Sequence, residues 1–138
     1  MLRKNAKVEL LGKVPLFVHC SKKELGELAS IADEIDLPEG KTLMSEGAIG
    51  REFLVLIDGS VRVTREGRKL ADLGAGNWIG EMALLTEEPR SATVVTTSPI
   101  RALVIVDRDF RGAMNRYPAI ATKILDCVAQ RVVRDAQS

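Results

Sequence analysis

The spacing of hydrophobic positions changes twice along the chain. Residues 8–11 read as a short helical turn stopped near Gly12 and Pro15. Ser21-Lys22-Lys23-Glu24 is a capping-box sequence, in which the serine oxygen and the glutamate carboxylate satisfy backbone donors at a helix start. It opens a helix whose apolar stripe is Leu25, Leu28, Ala29 and Ile31 or Ala32, predicted to end near Ile35. Turn signals then follow at short intervals: Pro38-Glu39-Gly40, Glu46-Gly47-Ala48-Ile49-Gly50, Asp58-Gly59, Glu66-Gly67 and Gly74-Ala75-Gly76. Between them, residues 41–44, 53–57, 60–65 and 68–73 read as strands, and after Pro89 so do 92–97 and 100–106, separated by Ser98-Pro99. Val61 and Val63 alternate with Arg62 and Thr64, which gives one buried and one wet face. Helical spacing returns where Asp107 caps a helix with Phe110 and Met114 one turn apart. Pro118 suits the first turn of a last helix, striped by Ile120, Ile124, Val128 and Val132.

Many short strands with close turns, bracketed by helices, predict an α+β fold: an antiparallel β-roll (jelly roll) of about eight strands flanked by N-terminal and C-terminal helices. The expected boundaries are helices over about 6–35, a β-roll over about 36–106 interrupted by a short helix at 81–85, and C-terminal helices over about 107–134, all in a single domain spanning 1–138.

Composition narrows the function class. The 138 residues carry 20 Lys and Arg against 19 Asp and Glu, a formal net charge of +1. That balance argues against an electrostatic nucleic-acid binder, a disordered charged tail and a polybasic membrane arm. Cys20 and Cys127 stand alone and far apart, which fits neither a disulfide framework nor a zinc or redox CxxC. His19 is the only histidine, so a site built on several imidazoles is excluded, and no metal is expected. The start of the chain has no apolar signal region, and the apolar runs are too short to span a bilayer. The expectation is a cytoplasmic domain with no membrane insertion.

The chemistry concentrates in residues 76–93. Gly80 permits a backbone conformation that other residues resist. Residues 81–85 then suit one helical turn, whose leading N–H groups favour an anion. Pro89 stiffens the return, and Arg90 and Ser91 follow with a planar guanidinium fork and a hydroxyl donor suited to phosphate oxygens. The Glu81 carboxylate can accept from a sugar hydroxyl. Together these groups match a nucleotide whose phosphate and ribose are recognised side by side. Taken alone, Glu81 and Arg90 would read as a structural salt bridge and Ser91 as a turn cap; the full run of residues around them favours a ligand. Trp78 reads as a packing residue, and His19, Cys20 and Cys127 as structural.

The run Gly80-Glu81-Met82-Ala83-Leu84-Leu85, followed three residues later by Pro89-Arg90-Ser91-Ala92-Thr93, closely resembles the phosphate-binding cassette of the cyclic nucleotide-binding domain family. Glu46-Gly47-x-x-Gly50, Phe53 and Gly59-Ser60-Val61 resemble the opening of that family's β-roll. The resemblance implies cAMP as the ligand, ahead of cGMP, with no other cofactor. It implies that backbone N–H groups around Gly80, Glu81, Met82 and Ala83 meet the cyclic phosphate or the ribose edge. Glu81 would take the ribose 2′-hydroxyl, Arg90 the phosphate oxygens, and Ser91 would add a donor. Val63, Leu70 and Ala71 would line the base, and the last helix would close over it, with Arg131 and Arg134 as candidates to cap the purine.

There are departures from the family pattern. Many members carry an acid just after the Gly50 position, which helps orient the cassette arginine; here Arg51 stands there, with Glu52 next. Nothing in the sequence supplies a nucleophile–base pair, so the expected role is sensing and not catalysis. The alternatives are a fragment of a transcription regulator of the same family without its DNA-binding module, and a non-binding scaffold with this fold. No direct nucleic-acid contact is expected from this chain. The stripe of the last helix could also pair two copies as a homodimer.

Overall fold

The computed structural model describes residues 2–137, with the side chains of Glu81, Met82 and residues 131–137 outside the description. The chain divides into two compact units, Ala32–Asp107 and the pair of segments Met1–Ile31 and Arg108–Ser138.

Among the described residues, the first unit contains eight strands: β1 (Asp33–Leu37), β2 (Thr42–Met44), β3 (Glu52–Asp58), β4 (Val61–Arg65), β5 (Arg68–Leu73), β6 (Trp78–Ile79), β7 (Thr93–Thr96) and β8 (Ile100–Val106). They form two four-stranded sheets, ordered β1-β8-β3-β6 and β2-β7-β4-β5, with antiparallel pairing throughout. This strand order is a jelly roll, as predicted. Period-two alternation builds its interior. Leu54 and Leu56 on β3 lie opposite Val104 and Ala102 on β8, while Val61 and Val63 on β4 lie opposite Thr96 and Val94 on β7. Leu54, Leu56, Val61, Ile79, Val94, Ile100, Ala102 and Val104 share one buried cluster. Arg62, between the two valines, is exposed. The buried Thr96 hydroxyl is fully used: it accepts from the Lys41 N–H at 2.8 Å and donates to the Pro38 carbonyl at 2.7 Å.

Two strands depart from the sequence reading. The helix expected to run to Ile35 ends at Ser30, and Asp33–Leu37 is strand β1. Its Ile35 and Leu37 pair with Ala102 and Ile100 and pack on the roll interior, so alternation against a long neighbouring strand overrides the helical stripe before it. The two-residue β6, too short to show a period, pairs with Leu54 and Val55.

The second unit holds α1 (Lys4–Gly12), α2 (Lys22–Ser30), α4 (Pro118–Gln137) and most of α3 (Asp107–Arg116). The capping box forms as predicted: the Ser21 N–H donates to the Glu24 carboxylate at 2.7 Å, and the Glu24 N–H donates to the Ser21 hydroxyl at 3.2 Å. Glu24, 6% exposed, also binds the Lys123 ammonium of α4. Burial pushes the Glu24 pKa up, but the Lys123 and Ser21 donors outweigh it and hold the carboxyl below its ordinary value. Arg116 Nη2 meets Glu27 at 2.6 Å. Phe17 and Phe110 rings pack tilted, 6.3 Å apart. The Cys127 thiol donates to the Pro15 carbonyl at 2.9 Å. Burial, with the Glu24 carboxylate adding to it, pushes Cys20 up to about 11, so it is a thiol at neutral pH.

Candidate functional site

The chain leaves β6 at Gly80, whose φ of +79° lets the backbone reverse where a side chain would be strained. The expected helical turn at 81–85 is a 3₁₀ turn over Glu81–Leu84, closed by the Ala83 N–H donating to the Gly80 carbonyl at 3.0 Å. The Ala83 donor, expected to face a phosphate, is therefore used within the turn. The segment then returns through Thr86, Glu87 and Glu88 to Pro89.

Arg90 is held in place by main chain. Its own carbonyl accepts from the Gly47 N–H at 2.8 Å, and its N–H donates to the Ala48 carbonyl at 2.7 Å. Ile49 and Pro89 bridge beside it. The Glu46-Gly47-Ala48-Ile49-Gly50 loop is thus the partner strand of the cassette return. Its position is fixed further by the Glu46 N–H to the Thr93 hydroxyl at 3.0 Å and by the Glu46 carboxylate accepting the Glu66 N–H at 3.0 Å. Arg65 Nε donates to the Ser91 carbonyl at 2.9 Å. The Arg90 guanidinium donates through Nη2 to the Glu52 carbonyl at 2.7 Å, with Nη1 3.5 Å from the Gly80 carbonyl. Glu52 therefore serves the arginine through its backbone oxygen. Those bonds orient the guanidinium.

Arg90 borders a cavity of about 390 Å³, within the roughly 300–1,000 Å³ of small-molecule pockets. One part of its lining is apolar: Met44, Val63, Leu73, Trp78, Ile79, Ala92 and Val94. The rest is the cassette: Gly80, Ala83, Thr86, Glu88, Pro89, Arg90 and Ser91. An apolar wall beside a cation, a hydroxyl and turn backbone suits a flat heterocycle joined to an anionic group.

The structure therefore brings together Val63, Gly80, Ala83, Arg90 and Ser91 from the sequence-predicted set. Leu70 is not among the lining residues; it is 52% exposed. The β4–β5 register slips here: Val63 pairs with Ala71 and Thr64 with Lys69, so Leu70 is the extra residue of a β-bulge. Ala71, opposite Val63, is half-buried, and the lining residue from β5 is Leu73, two positions on. Pairing about the two-residue Glu66-Gly67 turn would set Leu70 opposite Val63; the bulge, which no local signal announces, moves Ala71 there and Leu73 opposite Val61. Trp78, read from sequence as packing, lines the cavity, and Glu88 brings a carboxylate to it. The side chains of Glu81, Met82, Arg131 and Arg134 lie outside the described residues. Among the described residues no cluster of His, Cys, Asp or Glu could hold a metal, and no helix is long and apolar enough to cross a membrane.

A jelly roll carrying an arginine-bordered cavity against a short turn defines a ligand-binding β-roll, and comparison with known proteins specifies which. The family model for the cyclic nucleotide-binding domain matches residues 34–117, and the chain belongs to that family. It is 31% identical over 123 residues to a cyclic nucleotide-gated potassium channel of Rhizobium etli, covering 89% of this chain and 34% of the channel. It is 30% identical over 123 residues to the cyclic AMP receptor protein of Thermus thermophilus, covering 86% of this chain and 57% of the receptor. Among solved structures, the N-terminal domain of a transcriptional regulator from Streptomyces coelicolor superposes with a TM-score of 0.85 at 30% identity, covering 94% of this chain and 96% of that one. The chain spans less than two thirds of the length of the channel and of the receptor.

Proposed function

We propose that this chain is a cyclic nucleotide sensor that binds cAMP, ahead of cGMP, in the cavity beside Arg90 and shifts its C-terminal helix in response. The observation that carries the reading is Arg90: a guanidinium oriented by main chain and bordering an apolar cavity of nucleotide size. The cyclic phosphate lies against Arg90 and Ser91, with main-chain donors from Gly80, Glu81 and Met82, the Ala83 N–H being used within the turn. The Glu81 carboxylate takes the ribose 2′-hydroxyl. The purine rests on Val63, Ala71 and Leu73, with Leu73 in place of Leu70. Arg131 and Arg134 are the residues of the last helix put forward to cap the base. The chain acts by binding and not by catalysis, in the cytoplasm, and without a metal or direct contact with nucleic acid. A second copy pairing through the last helix completes the proposal.

Calorimetric titration of the chain with cAMP, cGMP and 5′-AMP tests it. At a hundredfold excess over its dissociation constant, a ligand that binds only the folded state adds about 2.7 kcal/mol of stability. Each kcal/mol raises the melting temperature of a domain this size by roughly 2–8 °C. cAMP is expected to bind and raise the melting temperature, and 5′-AMP, with its open dianionic phosphate, to do neither. Equal shifts from both would remove the cyclic-phosphate reading.

A further inference from the structure

We propose that Gly50 is a positioning residue for Arg90: the space left by its absent side chain is the slot in which the arginine arm lies. The proposal rests on the reading above, in which Arg90 receives the cyclic phosphate.

A Cβ built on Gly50 would sit 1.8 Å from Arg90 Nε, 2.1 Å from Cζ and 2.6 Å from Cδ, and these are its three nearest neighbours. Carbon and nitrogen atoms in ordinary contact stand roughly 3.5–4.0 Å apart, so the arm and a methyl group cannot share this place. The glycine is not there for its backbone. Gly50 is absent from the residues with positive φ, unlike Gly47 and Gly80, so no left-handed backbone calls for glycine there. Further along the arm, a Cβ on Gly80 would stand 2.4 Å from Arg90 Nη1. The arm therefore runs between two positions without side chains and ends on the Glu52 carbonyl. The arginine's own peptide cannot slide aside, because Gly47 and Ala48 hold its carbonyl and its N–H. A side chain at Gly50 leaves one escape, rotation of the Arg90 arm out of the slot. The guanidinium then reaches a ligand only by reordering a freely rotating chain, which costs affinity without touching the ligand's own contacts.

The test is a cycle of Gly50→Ala, Arg90→Ala and the double variant, read by cAMP titration and by the Arg90 Nε–H resonance, assigned through its loss in Arg90→Ala. Gly50→Ala is expected to weaken cAMP binding at least about tenfold and to move the Nε–H line to the position of a solvated arginine, because it removes preorganisation of the arm. In the Arg90→Ala background the same substitution is expected to change affinity less than about twofold, since no arm remains to displace. If Gly50→Ala fails to fold while the double variant folds, the clash with the arm is established directly. Failure of both to fold, an equal loss in both backgrounds, or parental affinity with an unmoved Nε–H line would each overturn the proposal. Parental cAMP affinity in Arg90→Ala would instead overturn the ligand reading, and the Nε–H line would still decide whether Gly50 seats the arm.

Discussion

Arg90 in the strand unit and Lys123 in the helical unit are both long cations held by oxygen, one at the border of a cavity and one between two helices. Lys123 binds the carboxylate of Glu24, which is buried and also caps α2 through Ser21. Arg90 donates to the carbonyls of Glu52 and Gly80. A carboxylate neutralises the cation it holds, so the Glu24–Lys123 contact is a joint: it fastens α4 to α2 and leaves little field to attract anything else. The carbonyls of Glu52 and Gly80 aim the Arg90 guanidinium. The residues around the two reflect this. Lys123 is one side of a helix-to-helix contact, whereas Arg90 borders a cavity and has its backbone pinned on both sides. One cation thus joins two helices, and the other is aimed along the border of a cavity.

The largest effect should come from removing the aimed cation. Arg90→Ala is expected to weaken cAMP binding by about 2–5 kcal/mol, roughly 30- to several-thousand-fold, because a partly buried phosphate loses its charged partner. Circular dichroism should show the fold retained. Arg90→Lys should fall between, since it keeps the charge and loses the fork. Parental binding by Arg90→Ala would erase the contrast between the two cations.

Removing the joint should act on stability instead. Lys123→Met is expected to lower unfolding free energy by about 1–3 kcal/mol at pH 7, the usual cost of leaving a buried partner short of a donor. The direction of the Glu24 shift sets the pH dependence. Its folded pKa lies below the unfolded value of about 4.3, so its contribution is complete above that pH and is lost as pH falls through the folded value. The gap between parent and Lys123→Met should therefore close on acidification from pH 7 to about pH 3. A gap that stayed constant in thermal melts would assign Lys123 a packing role and not an ionic one.

The smallest effects separate the two faces of β5. Leu73→Ala should weaken cAMP binding by roughly 1 kcal/mol, since a half-buried leucine gives up part of its apolar contact. Leu70→Thr, at an exposed position, should change affinity and stability by less than about 0.5 kcal/mol. The reverse ranking would return the base to the Leu70 side.

The roll was legible because its strands alternate and its turns carry glycine. Val61, Arg62 and Val63 announced a two-faced strand, and Ser21 and Glu24 announced a capped helix; both signals are local and both formed. The cassette was legible as a run of residue types. Strand β1 was missed because Ile31, Ala32 and Ile35 also satisfy a helical spacing, and only pairing with β8 decides between the two. The slot for Arg90 was missed for a related reason. Gly47 and Gly50 read as turn residues, and nothing local tells a glycine needed for φ, as Gly47 is, from one needed for room.

One pair of neighbouring carbonyls has a mechanical consequence. Glu52 offers its oxygen to Arg90 at 2.7 Å, and Arg51, the residue before, offers its oxygen to the N–H of Asp107 at 2.8 Å. Asp107 is the last residue of the strand unit and the first of α3. Two successive peptide planes thus span from the cassette arginine to the point where the chain leaves the roll. Each peptide plane is rigid and the φ and ψ between them are the soft links, so the two hydrogen bonds give the cassette arginine and the end of the roll one strand segment in common.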